Sequence, residues 1–257
     1  MEYDSAKDAH DSYYAAVEAK RLRGLAAIRR EVQIGDCRLI LGDCREILPA
    51  LGMVDAIITD PPYGINYHVN ARSWQNIGLD AVKPFKMAAR DPIAGDTEPF
   101  DPENLLGFKK IAIFGANHMA GLPPLGRWIV WDKRRDSTPD SHSDCELIWT
   151  NIPGADRIHR QKWRGIVREG EENTTNGPKL HSNQKPVALL SFVFAQIGVD
   201  PQDTVLDPYM GSGSTGVVAI RWKVPFLGIE IDPVYFEVAL RRLETELAKP
   251  PLELLDL

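Results

Sequence analysis

From residue 38 onward, short apolar runs recur along the chain and polar segments separate them. The runs are rich in Val, Ile and Leu and cover residues 38–41, 54–59, 110–114, 127–131, 146–150, 204–206 and 226–229. Apolar runs of this length, joined by longer crossovers, are typical of a mostly parallel sheet that is buried on both faces. Residues 157–163 are a candidate for an additional, antiparallel strand. The pattern therefore predicts an α/β fold with helices on both faces of the sheet.

Four segments carry helical signals. Residues 5–30 are rich in Ala, Glu, Lys, Arg and Leu and contain no proline, which predicts a helix ahead of the main fold. The other predicted helices cover residues 186–197 followed by Gly198, 214–222, and 233–248 with Asp232 as N-cap. Residues 64–108 are a long polar stretch, and loops of that length are typically functional or disordered. We therefore predict a helical extension over residues 1–32 and a single domain over 33–257 that contains this insertion.

Length and composition narrow the class of protein. A chain of 257 residues with 44% hydrophobic content can bury one substantial core but is too short for two full domains. The acidic start lacks the order of a secretory signal and no run of 18 apolar residues occurs, so we expect a soluble cytoplasmic protein. Cys37, Cys44 and Cys145 fit neither a disulfide framework nor a paired metal spacing. Reduced thiols and no metal site are the prediction.

The net charge of −6 argues weakly against a nucleic-acid partner, because phosphate contacts need clustered cations. The distribution matters more than the total, since residues 157–168 hold five Lys or Arg residues, no acid, and Trp163. A second cluster is Lys133-Arg134-Arg135. Each cluster is equally consistent with a solvated face. The candidate nucleic-acid contacts are Arg134, Arg135, Arg157, Arg160, Lys162 and Arg164.

The strongest chemical signal is Asp60-Pro61-Pro62-Tyr63, which follows the apolar run 54–59 directly. Ligands of open parallel sheets bind at the carboxyl ends of strands. The lone pair of an exocyclic base amine is delocalised into the ring, so a catalyst must hold both N–H bonds. The Asp60 carboxylate and the Pro61 carbonyl can accept them, because the prolines stiffen the turn. Tyr63 offers a face on which a base can stack, although a proline-rich turn with a surface tyrosine is the plainer interpretation.

A second signal lies near the carboxyl end of the chain. Residues 204–216 read as a strand, a glycine-rich turn and the start of a helix, and Glu230 ends the next apolar run, where a carboxylate can accept ribose hydroxyls. Residues 211–216 also match the dinucleotide fingerprint, which keeps a nicotinamide-dependent oxidoreductase as an alternative. Asp207-Pro208 before the turn, however, is unlike the usual dinucleotide entry.

Together these segments resemble the amino-methyltransferases of DNA. Residues 60–63 resemble their catalytic motif, 207–216 their methionine-binding loop, 181–186 the short motif before that loop, and 41–44 the segment that meets the adenine of the cofactor. The catalytic motif precedes the cofactor loop, as in the beta class of the family. The resemblance covers residues 38–248 and implies a circularly permuted Rossmann-like methyltransferase fold with a mostly parallel seven-stranded sheet.

The resemblance also implies S-adenosylmethionine as cofactor and a set of contacts to it. These are Asp43, Cys44, Asp60, Pro61, His181, Ser182, Lys185, Asp207, Pro208, Tyr209, Gly211, Ser212, Gly213, Thr215 and Glu230. Asp43 also fits as the N-cap of a following helix, and both roles can hold together. His118 is expected to be a core or loop histidine, and Asp96 is expected to stabilise its loop.

The activity implied is transfer of a methyl group to adenine N6 in duplex DNA by base flipping. Asp60 at the first motif position favours adenine over cytosine N4, which is the alternative within the family. Residues 151–180 leave only a short target-recognition region. An RNA or protein amine and a catalytically inactive DNA-binding module are further alternatives. The resemblance and the N-terminal helix favour a homodimer, and the sequence leaves open whether a cognate restriction endonuclease exists.

Overall fold

The computed structural model describes residues 2–64, 96–134, 143–164, 167–169 and 184–250. Its helices are α1 (Glu2–Ala26), α2 (Cys44–Ile47), α3 (Val187–Ile197), α4 (Ser214–Trp222) and α5 (Pro233–Leu247). Its strands are β1 (Arg30–Ile34), β2 (Cys37–Leu41), β3 (Ala56–Thr59), β4 (Lys110–Phe114), β5 (Arg127–Asp132), β6 (Cys145–Thr150), β7 (Arg157–Arg160), β8 (Trp163–Arg164), β9 (Val167–Arg168), β10 (Val205–Asp207) and β11 (Phe226–Glu230).

Nine of these strands form one sheet in the order β1-β2-β11-β10-β3-β4-β6-β5-β7, and β8 pairs with β9 in a separate hairpin. The neighbours from β2 through β11, β10 and β3 to β4 are all parallel. Strand β6 runs antiparallel to both β4 and β5. The seven strands from β2 to β5 therefore make the predicted mostly parallel sheet, and β1 and β7 extend it at its two edges.

Successive residues of the central strands enter two different hydrophobic cores. Ile57 and Ile58 are both fully buried, yet they belong to opposite faces because side chains alternate along a strand. Ile58 lies in the core formed with α3, α4 and α5, which includes Phe194 and Phe236. Ile57 lies in the core that includes Ile47 of α2. Helices thus pack on both faces, as predicted.

The predicted helix ends are confirmed in the second half of the chain. Helix α3 ends at Gly198 in the left-handed conformation with φ 68°. Helix α4 covers the predicted residues, and α5 begins after Asp232, whose carboxylate accepts the Val234 N–H at 2.7 Å. Within the described part of the chain, no helix combines the length and apolar character that crossing a membrane requires.

Two expectations about the edges of the sheet are wrong. The first helix ends at Ala26 rather than residue 30, because residues 30–34 form β1, which pairs with β2 across a tight turn at Gly35 with φ 53°. The division placed at residue 32 falls inside this strand. Strand β7 is parallel to β5, not antiparallel. Because β6 already returns antiparallel to β5, the chain runs in the direction of β5 again when it reaches β7.

Candidate active site at the carboxyl edge of the sheet

The predicted site segments converge because five parallel strands end at the same edge of the sheet. The segments are Asp43 and Cys44 after β2, Glu230 at the end of β11, residues 207–216 after β10, residues 60–63 after β3, and residues 115–118 after β4. The antiparallel strand β6 begins at this edge, since Phe114 at the end of β4 pairs with Ile148. This edge is the crevice in which ligands of open α/β sheets bind.

Asp60 lies directly after β3, and both of its carboxylate oxygens are engaged. The Tyr63 hydroxyl donates to Oδ1, and the Lys185 ammonium donates to Oδ2 at 2.7 Å. Burial raises the pKa of Asp60, Lys185 opposes this, and the nearby carboxylate of Glu146 adds to it. The structure therefore brings two segments that are 125 positions apart into one ion pair.

Glu146, near the start of β6, connects two lysines at the site. Its Oε1 lies 2.8 Å from Lys185 Nζ and its Oε2 lies 2.8 Å from Lys133 Nζ. The Tyr63 hydroxyl is 3.3 Å from the same Oε1. Burial raises the pKa of Glu146, but the two ammonium groups outweigh it and hold that pKa at about 2. Sequence reasoning missed this residue, and the only signal was an acid at the start of an apolar run.

The ring of Tyr63 is held in place by the loop after β4. It stacks on His118 with a centroid separation of 5.4 Å and an interplanar angle of 21°. Gly115 has φ +64°, and a Cβ there would lie 2.1 Å from Tyr63 Cε1. A side chain at residue 115 would thus collide with the ring. Burial raises the pKa of the Tyr63 hydroxyl well above its usual range, so this group is a hydrogen-bond donor.

Asp207 is buried at the end of β10, and its carboxylate is engaged within the protein. Oδ1 accepts the Thr59 hydroxyl at 2.8 Å and the Tyr209 N–H at 3.2 Å, while Oδ2 accepts the Thr215 hydroxyl at 2.7 Å. Burial raises its pKa to about 6. Because its partners come from β3, the turn and α4, Asp207 fixes the glycine-rich turn against the strand that carries Asp60.

The glycines of this turn have different structural roles. Gly213 has φ +76°, and a Cβ there would lie 2.8 Å from Leu243 Cδ1 of α5. A Cβ at Gly216 would lie 2.8 Å from Leu243 Cδ2. These two glycines therefore allow α4 to pack closely on α5, in addition to any approach of a ligand. Gly211 has φ 52°, and its N–H donates to Glu230 Oε2 at 2.8 Å.

Glu230 ends β11 with a carboxylate that is buried and oriented by the backbone. Oε2 accepts the Gly211 N–H and Oε1 accepts the Asp232 N–H, both at 2.8 Å. Burial raises its pKa, and these N–H groups act in the opposite direction. The carboxylate can still accept a further donor, since an ionised carboxylate has about four acceptor positions. Glu230 is therefore a fixed acceptor beside the turn and not a free surface charge.

Asp43 and Cys44 lie at the start of α2. Asp43 accepts the Arg45 N–H at 3.0 Å, so its predicted N-cap role is confirmed. The Cys44 thiol is buried and hydrogen-bonds with the Tyr209 side chain, and burial raises the pKa of that thiol to about 11. The ring of Tyr209 also meets Phe100 edge to face at 5.7 Å. The glycine-rich turn is thereby packed against the segment that follows β2.

Asp96 stabilises the loop that follows residues 60–63, as expected. Its Oδ1 accepts the Gly64 N–H at 2.9 Å. Gly64 has φ +71°, and a Cβ there would lie 2.2 Å from the Glu98 carbonyl oxygen. Asp96, in the later part of the insertion, thus stabilises the backbone that follows residues 60–63.

The predicted DNA contacts separate into exposed and buried cations. Arg157 is exposed in β7, Arg160 is 60% exposed with its Nε 3.7 Å from an Asp132 oxygen, and Lys162 is half-buried. Arg134 is corrected: its side chain is only 5% exposed and forms an ion pair with Asp144. The sequence cluster did not indicate that this side chain is buried.

Some of the predicted site residues lie outside the part of the chain that the structure describes. Arg135, His181 and Ser182 lie outside the described residues, as does most of the 64–108 insertion. The backbone of Arg164 is described in β8, but its side chain is not.

A comparison with protein families gives a match over part of the chain. Residues 124–241 match the family described as DNA methylase. This segment runs from just before β5 into α5 and includes Glu146, Lys185, Asp207 and Glu230, and it leaves Asp60 outside.

Two curated relatives are type II methyltransferases. The chain is similar to M2.DpnII of Streptococcus pneumoniae, with 30% identity over 118 residues that make up 46% of this chain and 42% of that protein. It is also similar to M.HinfI of Haemophilus influenzae, with 37% identity over 105 residues, 40% of this chain and 29% of that protein. The chain thus spans less than half the length of these relatives.

Among solved structures, the PvuII DNA methyltransferase, described as cytosine-N4-specific, has a TM-score of 0.50 and 16% identity and covers 84% of this chain and 89% of its own. This likeness establishes the Rossmann-like methyltransferase fold. A complex of M1.HpyAVI with SAM has 25% identity and a TM-score of 0.47 over 80% of this chain and 100% of its own.

The fold and the site define a Rossmann-like α/β protein with a proline-framed acidic motif beside a glycine-rich turn. Residues 124–241 are similar to the DNA methylase family. The nicotinamide-dependent alternative finds no support in this family match.

Proposed function

We propose that this protein transfers a methyl group from S-adenosylmethionine to an exocyclic amine of a base in duplex DNA, with adenine N6 as the preferred target. One observation carries the proposal. Asp60 of the catalytic motif lies beside the glycine-rich turn, because its neighbour Thr59 is hydrogen-bonded at 2.8 Å to Asp207 at the start of that turn. A base amine held by Asp60 would therefore be close to a methyl donor bound at the turn.

The amine is activated by orientation. Asp60 accepts one of its N–H bonds and the Pro61 carbonyl accepts the other, so that the nitrogen lone pair points toward the methyl group. The Asp60 oxygens already accept the Tyr63 hydroxyl and Lys185, so the substrate amine competes with these donors for the lone pairs of the carboxylate. Holding the two reactants in line supplies much of the rate, since orientation alone can lower a barrier by about 7–11 kcal/mol.

The residues around the turn fit the methyl donor by their chemistry. Glu230 presents fixed carboxylate oxygens to the ribose hydroxyls, and Asp43 with the Cys44 backbone lies at the neighbouring strand end to meet the adenine. The turn that Asp207 holds receives the amino-acid part. When bound, S-adenosylmethionine supplies a methyl group on a positively charged sulfur. The carboxylates at this edge suit a ligand that carries positive charge and several N–H and O–H donors.

Adenine N6 is favoured over cytosine N4 by the acid at the first position of the catalytic motif. The cytosine-specific structure described above does not decide the target, because at 16% identity it speaks only for the fold. Cytosine N4 stays the alternative within the same mechanism.

DNA would approach across the exposed cations Arg157 and Arg160 and the half-buried Lys162. The target base would leave the stack and rest on the face of Tyr63 that is turned away from His118, because a base inside a duplex cannot present its amine in line. A homodimer and a restriction endonuclease partner stay predictions.

The experiment is incubation of the protein with unmethylated bacterial DNA and labelled S-adenosylmethionine, followed by mass spectrometry of the digested nucleosides. N6-methyladenine would support the proposal in full, and N4-methylcytosine would keep the mechanism and change the target. Asp60→Ala should abolish the product and retain cofactor binding. Asp55→Ala is the matched control, since Asp55 lies just before the opposite end of β3 and should leave the product unchanged. Absence of both methylated bases with the wild type would overturn the proposal.

A further inference from the structure

Inside the site, Glu146 contacts Lys185, Lys133 and Tyr63, and Asp60 contacts two of the same residues, Lys185 and Tyr63. Glu146 and Lys185 are 12% and 10% exposed, and Lys133 is 25% exposed on the outer side of Glu146. Lys185 lies between two carboxylates, 2.7 Å from Asp60 Oδ2 and 2.8 Å from Glu146 Oε1. Tyr63 donates to Asp60 and is also within 3.3 Å of Glu146 Oε1. A single oxygen of Glu146 therefore faces both donors that occupy Asp60.

We propose that Glu146 is a positioning residue for methyl transfer, which holds Lys185 and receives the Tyr63 hydroxyl so that Asp60 can accept the substrate amine. The inference rests on the proposed function. It adds a residue that the catalytic motif does not contain and that reaches the site from another strand.

The competition at Asp60 gives the physical reason. A substrate N–H and the Tyr63 hydroxyl compete for the same carboxylate, and leaving a buried hydroxyl without an acceptor is unfavourable. Glu146 Oε1 offers the Tyr63 hydroxyl a second acceptor within reach, so the hydroxyl can release Asp60 without becoming unsatisfied. The exchange moves one hydrogen bond and transfers no proton.

Charge balance gives a second reason. Asp60 and Glu146 together balance Lys185 and Lys133, while Tyr63 stays neutral. If Glu146 lost its charge, Lys185 would interact with Asp60 as its only remaining carboxylate among these residues. Asp60 would then be a weaker acceptor, because an ammonium group that is no longer shared with Glu146 stabilises the charged carboxylate and lowers its basicity.

The first test is Glu146→Gln, which keeps the shape and removes the charge. We expect kcat to fall roughly 10- to 100-fold, with the KM for DNA and the affinity for S-adenosylmethionine unchanged. Glu146 raises the pKa of Asp60, so its loss should also move the acidic limb of the rate profile to lower pH. Lys185, Lys133 and Tyr63 face Asp60 or Glu146 and are unaltered in this variant. If Glu146→Gln keeps the wild-type kcat and the acidic limb of its pH–rate profile does not shift, the inference is wrong.

A double-mutant cycle separates positioning from support of the fold. If Glu146 acts through the Tyr63 hydroxyl, the effects of Glu146→Gln and Tyr63→Phe on kcat should be strongly non-additive. Additive effects would contradict the inference. Should Glu146→Gln fail to fold, Glu146→Asp keeps the charge and withdraws it by one methylene, and full activity in that variant would equally refute the role. Glu31→Gln, which removes a carboxylate paired with Arg38 away from the site, is the matched control.

Different measurements test the role of Glu146 and the proposed function. The proposed function is tested with the wild-type protein alone, by whether a methylated nucleoside is formed. If the wild type forms no product, the ¹⁵N resonance of the Lys185 ammonium still reports the contact. Glu146→Gln should shift that resonance and speed its solvent exchange, and an unchanged signal would overturn the role of Glu146.

Discussion

Thr59 donates its hydroxyl to the carboxylate of Asp207, with 2.8 Å between the oxygens, and both residues are buried. Thr59 ends β3 immediately before Asp60, and Asp207 ends β10 immediately before the glycine-rich turn. The backbone pairing of these strands stops at Leu206 with Ile57. The side-chain bond therefore continues the connection between the two strands beyond their backbone pairing and holds the segment of Asp60 next to the turn.

Substitution of Thr59 by Val tests this connection. The change keeps the shape and removes one donor to a buried carboxylate, so the free energy of unfolding should fall by about 1–3 kcal/mol. The affinity for S-adenosylmethionine should also fall, because the turn loses a fixed point. Urea denaturation and calorimetric titration measure the two effects. Thr245→Val, which removes an exposed hydroxyl of α5 that binds the Arg241 carbonyl, should change neither.

Gly115 and Gly121 form a matched pair for testing the position of Tyr63. Both have positive φ, 64° and 80°, but a Cβ at Gly115 would strike the Tyr63 ring at 2.1 Å, whereas a Cβ at Gly121 would meet nothing within 4 Å. Each substitution by Ala should cost about 1–2 kcal/mol of backbone strain. Gly115→Ala alone should also lower the rate of methyl transfer at least about tenfold with cofactor binding retained. Equal rates in the two variants would show that the ring position is irrelevant.

The strand ends explain why much of the site was predictable. Asp60, Asp207 and Glu230 each follow or end an apolar run, and parallel strands bring such residues to one edge whatever their separation in sequence. The central strands and the last three helices were also predictable, because periodicity, Gly198 and the Asp232 cap are local signals. Local pattern thus defines both the main elements and the edge at which the chemistry lies.

Features that depend on pairing between distant segments were not predictable. Glu146 enters the site only because β6 lies next to β4 and starts where β4 ends, and nothing in residues 145–150 specifies that neighbour. The direction of β7 depends in turn on β6. The burial of Arg134 depends on the path of the chain after β5, which a cluster of cations does not reveal.

The pH dependence of stability should report the buried Asp207. Its pKa is raised by burial from an ordinary value of 3.8 to about 6, so the folded protein keeps this proton over a range in which the unfolded chain has lost it. The stability that Asp207 contributes is therefore complete below pH 3.8 and lost as the pH rises through about 6. The free energy of unfolding of the wild type relative to Asp207→Asn should rise by up to about 3 kcal/mol between pH 7 and pH 4. Urea unfolding at each pH measures it, and a flat or falling difference would contradict the assignment.

The salt dependence of DNA binding tests Arg160 of β7 and Lys162, which follows that strand. Arg160 and Lys162 are accessible, and each phosphate contact adds about 0.9 to the slope of log K against log salt. Arg160→Gln with Lys162→Gln should therefore weaken binding and reduce that slope by up to about 2, measured by fluorescence anisotropy over a salt series. Lys109→Gln with Lys249→Gln removes the same charge from two exposed sites elsewhere, since Lys109 precedes β4 at the opposite edge of the sheet, and should leave the slope unchanged. Equal slopes in the two double variants would mean that DNA does not cross the surface formed by Arg160 and Lys162.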